Sequence, residues 1–129
     1  MSDERKFIKG YWFVWDNEKA KKNFRKHGVT FELAAEVFFD KNAVRIYDEL
    51  HSDDEDRYQI IGTTEGYLSV LFVIYVERTS EDDAYVYRII SARDANRKEM
   101  EEYGMGLSEI SAYQTGSPPG RNVHKRRRY

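Results

Sequence analysis

A few residues of this chain have the side chains that a metal-free enzyme needs to act on a phosphodiester. They lie in four short segments of the sequence: Lys26-His27-Gly28, Arg57, Glu77-Arg78 and Arg93. Histidine and glutamate transfer protons, and arginine binds phosphate oxygens through parallel N–H donors. Because these segments are far apart in the sequence, they make a site only if the fold brings them together over one exposed side of a sheet.

The predicted helix that ends at His27 gives this histidine two possible roles. The carbonyl end of a helix favours a protonated imidazole, which suits a proton carrier near neutral pH. Alternatively, the ring caps the last carbonyls or packs against the sheet. Lys26 is its neighbour, but adjacent side chains diverge on a helix, so the two need not enter the same cleft.

Glu77 and Arg78 end the most apolar segment of the chain, which is predicted to be a strand. Alternation along that strand places Tyr75 and Glu77 on one face and Arg78 on the other. Pairing with the next strand is expected to place Glu77 and Arg78 near residues 84–86 and Arg93 near Leu68. Glu77 and Arg93 are therefore not expected to touch, and an ordinary surface ion pair worth about 0–1 kcal/mol is the alternative.

The acidic segment 51–56, His-Ser-Asp-Asp-Glu-Asp, could offer oxygen and nitrogen ligands to a hard divalent cation. It lacks the spaced ligands and the glycine of a calcium loop, so we predict a solvated acidic turn and no metal site. Arg57, which follows, either clamps a phosphate or neutralises Asp54 or Asp56. The sequence contains no glycine-rich phosphate loop, nucleophilic serine elbow or HExxH motif.

Composition restricts the class of protein. The chain has 129 residues, enough for one domain with its own core, and no cysteine, which fits a reducing, cytoplasmic setting. Its longest apolar stretch, 68–76, is far shorter than the roughly 20 residues of a membrane helix, so we expect a soluble protein. The net charge is −2, but basic residues are concentrated at the end of the chain, so an anionic ligand is not excluded.

The hydrophobic pattern predicts an α+β fold in which a small antiparallel sheet is packed by two N-terminal helices, with a further C-terminal helix. The predicted strands are 11–15, 43–47, 57–64, 67–78 and 85–92, and the predicted helices are 17–27, 31–39 and 95–103, the last capped by Asp94. The even positions of the long strand (Val70, Phe72, Ile74, Val76) are expected to face the helices. Residues 80–83 are predicted to form a turn, and the helical pattern decays from Gly104.

Several segments together resemble one protein family, the BrnT toxins of bacterial and archaeal type II toxin–antitoxin systems. The resemblance covers about residues 13–103 and rests on the order and spacing of the segments. They are Trp15-Asp16 with Lys19 and Asn23, Lys26 to Phe31, Ala34 to Phe38, His51-Ser52 with Glu55 and Arg57, Ile61-Gly62, Tyr75 to Arg78, Arg88 to Arg93, and Ala95 with Lys98-Glu99.

The resemblance implies a compact RelE-like fold and a metal-independent endoribonuclease that needs no cofactor and arrests translation. It implies a BrnA-like antitoxin as partner, with RNA as substrate and operator DNA contacted only through the antitoxin. By matching position, the catalytic candidates are Lys26, His27, Arg57, Glu77, Arg78 and Arg93, and Lys22, Tyr75 and Arg88 are the expected RNA contacts. The charged lead (1–10) and the extension with its basic, flexible tail (104–129) depart from the family pattern around a toxin domain at 11–103.

The expected chemistry begins when Glu77 or neutral His27 removes a proton from a ribose 2′-hydroxyl, which then attacks the adjacent phosphorus. Arginines stabilise the phosphate charge, and His27 or Lys26 protonates the departing 5′-oxygen. The alternative is a non-catalytic module of the same fold that binds RNA or an antitoxin. His27 and Glu77 favour the enzyme, because a simple phosphate binder needs neither.

Overall fold

The computed structural model describes residues 2–79 and 85–115, which fold as one six-stranded sheet with helices on both faces. The strands are β1 (Asp3–Ile8), β2 (Tyr11–Asp16), β3 (Val44–Tyr47), β4 (Arg57–Thr63), β5 (Val70–Thr79) and β6 (Tyr85–Asp94). The helices are α1 (Asn17–His27), α2 (Phe31–Glu36), α3 (Arg97–Tyr103) and α4 (Leu107–Gln114). The turn predicted at 80–83 and the basic tail lie outside the described residues.

The sheet is mixed, with strand order β1-β2-β6-β5-β4-β3. Strands β3 to β6 form the predicted antiparallel meander, but β2 pairs with β6 in parallel. The prediction of a wholly antiparallel sheet was therefore wrong, and an unpredicted strand, β1, precedes the predicted first strand β2 and the two helices. Parallel strands must be joined by a long crossover, which here is the chain from α1 to β5. No local turn joins β2 to β6, so the sequence contains no signal for this pairing.

The ends of α1 and α2 follow the sequence signals that predicted them. The Asp16 carboxylate accepts hydrogen bonds from the backbone N–H groups of Glu18 and Lys19, and Gly28 ends α1 at φ 72°. The Thr30 side chain accepts from the N–H of Leu33 at the start of α2. Such caps satisfy N–H groups that have no partner within a helix, and glycine adopts the left-handed conformation without a steric penalty.

The two faces of the sheet bury separate cores. We call the face that carries α1 and α2 the α1 face, and the opposite one the α3 face. The odd residues of β5 (Leu71, Val73, Tyr75) lie in the larger core on the α1 face. The even residues Val70 and Phe72 pack on the α3 face in a smaller core with Met100 of α3 and Ile110 of α4.

This arrangement corrects the prediction that the even positions of the long strand face the N-terminal helices. Both sets of positions in β5 are apolar, so alternation alone could not tell which set meets which helices. Helix α4 was not predicted, and α3 begins after Asn96, whose capping box with Glu99 replaces the predicted cap at Asp94. Within residues 2–79 and 85–115, no helix has both the length and the apolar character needed to span a membrane.

Candidate active site

Glu77 lies on the α1 face near the end of β5, in a group of four tyrosines. We call Tyr58, Tyr75, Tyr85 and Tyr87 the tyrosine cluster. Glu77 is paired across the sheet with Tyr87, and the Tyr85 hydroxyl donates a hydrogen bond to the Glu77 carboxylate. Ring centroids within the cluster are 5.5 to 5.7 Å apart. The carboxylate is therefore held at the edge of an aromatic, partly exposed surface.

The tyrosine pKa values show that two opposite charges act on the cluster. Burial raises the pKa of Tyr75 to about 12; the guanidinium of Arg45 acts against this rise and the carboxylate of Glu77 adds to it. Burial also raises the pKa of Tyr87, with the same opposing effects from Arg45 and Glu77. The hydrogen bond to Glu77 raises the pKa of Tyr85. All three phenols are thus neutral near pH 7.

Arg45 of β3 is a cation of this surface that the sequence reasoning missed. It pairs with Ile60, which lies in the core of the α1 face, so Arg45 projects to the same side of the sheet as Glu77. Its guanidinium is 5.8 Å from the centre of the Phe38 ring, and it makes no ion pair with a carboxylate of the described residues. The sequence offered one signal for this residue, which is that Arg45 and Tyr47 lie on the same face of a short predicted strand. The same pattern is typical of an ordinary exposed strand at the edge of a sheet, so it does not identify a functional residue.

Arg57, Arg78 and Arg88 lie together on the α3 face. Arg57 and Arg88 flank Val76, one on each neighbouring strand, and Arg78 is two residues further along β5. Among the described residues Arg57 makes no ion pair, so the predicted pairing with Asp54 or Asp56 is not seen. Within this part of the chain its donors are available to a phosphate.

The other two arginines each hold one carboxylate through two hydrogen bonds. Arg78 binds Glu55 at 3.0 and 2.7 Å, and Arg88 binds Asp3 at 3.1 and 3.2 Å. These hydrogen bonds lower the pKa of Glu55 and of Asp3. The carboxylates are 40% and 52% exposed. An exposed pair such as Arg78 with Glu55 contributes about 0–1 kcal/mol, so a phosphate group can displace that carboxylate. The pair of Arg88 with Asp3 is less exposed, because the Arg88 side chain is only 18% exposed.

Arg93 has a different setting from the other catalytic candidates. It binds both oxygens of Glu99 at 2.9 and 2.8 Å, and its guanidinium lies 4.3 Å from the centre of the Phe72 ring. Its cross-strand partner is Phe72, four residues from the predicted neighbour Leu68, and it lies well away from Glu77, as expected. This arginine joins β6 to α3.

Lys22, Lys26 and His27 belong to α1, which docks at the opposite end of β6 from Glu77. The side chain of Asn23 donates to the carbonyl of Ala92 and accepts from its N–H, which fixes the helix there. Ala92 is five residues along β6 from Tyr87, the partner of Glu77, or about 17 Å at the usual rise of a strand. Nothing in the described residues brings His27 or the two lysines into contact with Glu77.

Tyr75 does not fit the direct RNA contact expected of it. Its side chain is 0% exposed and its hydroxyl is buried without a hydrogen-bond partner among the described residues. The exposed rings at this position are instead Tyr85 and Tyr47, at 49% and 45%. Tyr75 therefore supports the cluster from below, and a base could stack only on its exposed neighbours.

The acidic segment uses several of its side chains within the fold. His51 hydrogen bonds to the buried Asp48 at 3.1 Å, Asp56 accepts from the Tyr47 hydroxyl at 2.9 Å, and Glu55 binds Arg78. The described residues contain no group of three or more histidine, aspartate or glutamate side chains able to hold a metal ion.

The candidate residues do not converge into the one hollow that the sequence led us to expect. Glu77 lies on the α1 face, where Arg45 was not predicted, and the α3 face carries Arg57, Arg78, Arg88 and Arg93. Strand alternation imposes this division, because consecutive residues of β5 point to opposite sides. The two surfaces meet at the end of β5.

An α+β sheet that holds a carboxylate, neutral tyrosines and several arginines on two faces near one strand end has the components of a small enzyme that acts on a phosphate-containing substrate. The family model of BrnT, the ribonuclease toxin of type II toxin–antitoxin systems, matches residues 15–99. The chain belongs to this family of ribonuclease toxins, and an antitoxin is accordingly its partner. The match includes all six catalytic candidates and leaves out β1 and α4. Comparison with curated proteins gives no match.

Proposed function

We propose that this protein is a metal-independent endoribonuclease whose active site is formed by Glu77, the tyrosine cluster and Arg45. The observation that carries the proposal is the position of Glu77. Its carboxylate is held by the Tyr85 hydroxyl, and it shares the charge environment of Tyr75 and Tyr87 with Arg45. A positioned base on the same face of the sheet as a cation without an ion-pair partner among the described residues is the minimal equipment for attack by a 2′-hydroxyl.

In the proposed reaction Glu77 takes the proton of a ribose 2′-hydroxyl, and the 2′-oxygen forms a bond to the adjacent phosphorus. The bond from phosphorus to the 5′-oxygen breaks, and that oxygen takes up a proton from solvent as it leaves. The products are a 2′,3′-cyclic phosphate and a 5′-hydroxyl end. Arg45 stabilises the charge on the pentacoordinate phosphate, and Arg57 and Arg78 bind the flanking backbone.

The remaining candidates enter the proposal with different support. The proton-donor role predicted from the sequence for His27 or Lys26 is not part of this proposal, because α1 docks at the far end of β6. Arg93 acts by joining β6 to α3 through Glu99. Lys22 and Arg88 remain RNA contacts, and Arg88 has the stronger case because it lies beside Arg57.

The wider role proposed for the chain follows from its family. Cleavage of RNA in the cytoplasm would inhibit translation, and a BrnA-like antitoxin would bind and neutralise the toxin. Operator DNA would be contacted only through that antitoxin. These finer points rest on the family alone.

The test is cleavage of a 5′-labelled RNA by the purified protein in EDTA, with analysis of the product ends. The Glu77→Gln variant should lose about 10²- to 10⁴-fold in rate, the usual contribution of a general base. Glu101→Gln is the matched control, since Glu101 is an exposed carboxylate on α3. Equal rates for Glu77→Gln and wild type would overturn the proposal, as would RNA retardation without cutting.

A further inference from the structure

We propose that the part of the α3 face beyond α3 and α4 is a binding surface for single-stranded RNA, running across five strands to the end of β5. This inference rests on the proposed function and identifies how its substrate is held. We call this surface the arginine track. Its exposed or half-buried side chains are Arg5, Phe7, Trp12, Arg57, Arg78 and Arg88, and the valines between them are Val14 and the buried Val76 and Val86.

The first row of the track is read directly from the strand register. Arg5 pairs with Val14, Val14 with Arg88, Arg88 with Val76, and Val76 with Arg57. Residues of one cross-strand row lie on the same face, and neighbouring strands are about 4.8 Å apart. The row therefore presents three arginines, one on every second strand, separated by valines.

The second row lies beside the first and adds aromatic rings. Phe7 pairs with Trp12, Trp12 with Val86, and Val86 with Arg78. The Phe7 and Trp12 rings are 4.9 Å apart, and Phe7 is 59% exposed. The Arg5 guanidinium lies 4.5 Å from the centre of the Trp12 ring. One half of the track thus offers faces for bases, and the other half offers donors for phosphates.

Two carboxylates lie against the track and have to be included in its charge. Asp3 binds Arg88 and Glu55 binds Arg78, each through the paired N–H donors that a phosphate would use. They leave Arg5 and Arg57 without an ion pair among the described residues. The carboxylates hold Arg78 and Arg88 in place until a phosphate replaces them, so their removal should strengthen RNA binding.

The composition of the track favours single-stranded RNA over a duplex. Aromatic rings on an open sheet stack with unpaired bases, whereas a duplex keeps its base faces inside the helix. The track also ends at Arg78, the residue after Glu77. A strand of RNA that passes over the end of β5 therefore reaches the proposed base on the α1 face.

The test measures binding of the wild-type protein to a fluorescein-labelled, single-stranded 2′-O-methyl oligonucleotide of mixed sequence, which lacks the attacking hydroxyl. Arg57→Gln and Arg88→Gln should each raise Kd about tenfold, as expected for the loss of one charge-assisted contact. Each should also reduce the slope of log Kd against log salt by about 0.7. Arg97→Gln, in an exposed arginine of α3, is the matched control and should bind normally.

Two further measurements distinguish RNA bound along the track from RNA attracted elsewhere on the protein. Glu55→Gln and Asp3→Asn should lower Kd severalfold, the opposite direction to the arginine variants. RNA should quench the emission of Trp12, so Trp12→Phe should remove that change, while the buried Trp15 remains in place.

The proposal is wrong if both arginine variants bind the oligonucleotide as tightly as the wild type does. It is also wrong if the wild type binds a duplex of the same sequence as tightly as the single strand. Loss of antitoxin binding with unchanged RNA binding would show a protein interface instead. Because the oligonucleotide cannot be cut, these results do not depend on cleavage. If the arginine variants bind RNA normally but cleavage still depends on Glu77, the proposed function stands and the arginine track is wrong. If the arginine variants lose affinity but Glu77→Gln cleaves normally, the arginine track stands and the proposed function is wrong.

Discussion

Glu77 and Arg78 are consecutive residues of β5 whose side chains bind on opposite faces of the sheet. Glu77 accepts a hydrogen bond from Tyr85 on the α1 face, and Arg78 binds Glu55 on the α3 face. The strand end is thus the one place in the described structure where the proposed base and the arginines proposed to bind phosphate are neighbours. In the proposed reaction, a substrate that engages both passes over this edge.

Arg45 should be essential for cleavage although it contributes little to stability. Its guanidinium is exposed and makes no ion pair within the described residues, so Arg45→Gln should leave the free energy of unfolding within about 0.5 kcal/mol of wild type. Loss of a donor aimed at developing phosphate charge should reduce kcat about 10²- to 10³-fold. Single-turnover cleavage and urea unfolding of the same samples measure both. A variant with unchanged kcat would remove Arg45 from the site.

Tyr75 should make stability depend on pH in the alkaline range. Burial raises the pKa of its phenol to about 12, above the ordinary value of about 10 in the unfolded chain. The resulting stabilisation is fully present below pH 10 and is lost as the pH rises through 12, because the unfolded chain then releases its proton more readily. Urea unfolding between pH 9 and pH 11 should show this decline.

Removal of the Tyr75 hydroxyl should flatten that decline. Because the hydroxyl is buried without a hydrogen-bond partner among the described residues, Tyr75→Phe should also raise the free energy of unfolding near pH 7 by about 1 kcal/mol. Tyr47→Phe, in an exposed ring, serves as the control for the pH effect. If Tyr75→Phe lowers the free energy of unfolding, the hydroxyl has a hydrogen-bond partner in solution and this prediction is wrong.

Local signals in the sequence were sufficient to predict most elements and the alternation around Glu77. Asp16, Gly28 and Thr30 predicted the bounds of α1 and the start of α2, since caps act within a few residues. The parallel pairing of β2 with β6 could not be predicted, because no turn joins these strands. Strand β1 was missed for a related reason. Its charged residues are typical of a solvent-exposed N-terminal segment, and only its pairing with β2 makes it a strand.

The candidate site was predictable by residue type but not by position. Glu77 and Arg78 were correctly placed on opposite faces, whereas Arg45 was overlooked because its role depends on strand order. The burial of Tyr75 also depends on other segments, because Phe38 and the tyrosines of neighbouring strands pack around its ring. Contacts between distant segments determine such features, and periodicity within one segment does not contain them.

Arg93 should contribute to stability rather than to the chemical step. Arg93→Met keeps an apolar stem on Phe72 but leaves Glu99, whose side chain is 11% exposed, without its ion-pair partner. Stranding a largely buried carboxylate should reduce the free energy of unfolding by about 2 kcal/mol. The double variant Arg93→Met/Glu99→Gln should recover most of this loss, since the introduced amide oxygen can still accept from the N–H of Asn96. Folded Arg93→Met that fails to cleave RNA would instead support a direct role.

His27 gives the sharpest test of how far the site extends along the sheet. Because α1 is fixed at Ala92 by Asn23, His27→Gln should change kcat by less than about tenfold, below the usual contribution of a general acid. Lys22→Gln and Lys26→Gln should weaken RNA binding in a salt-dependent manner, with Lys19→Gln as the control on the same helix. Pre-steady-state cleavage across pH 5 to 9 distinguishes the roles. A loss as large as that of Glu77→Gln, with the acidic or alkaline limb of the profile removed, would establish His27 as the proton donor and require RNA to bridge both ends of β6.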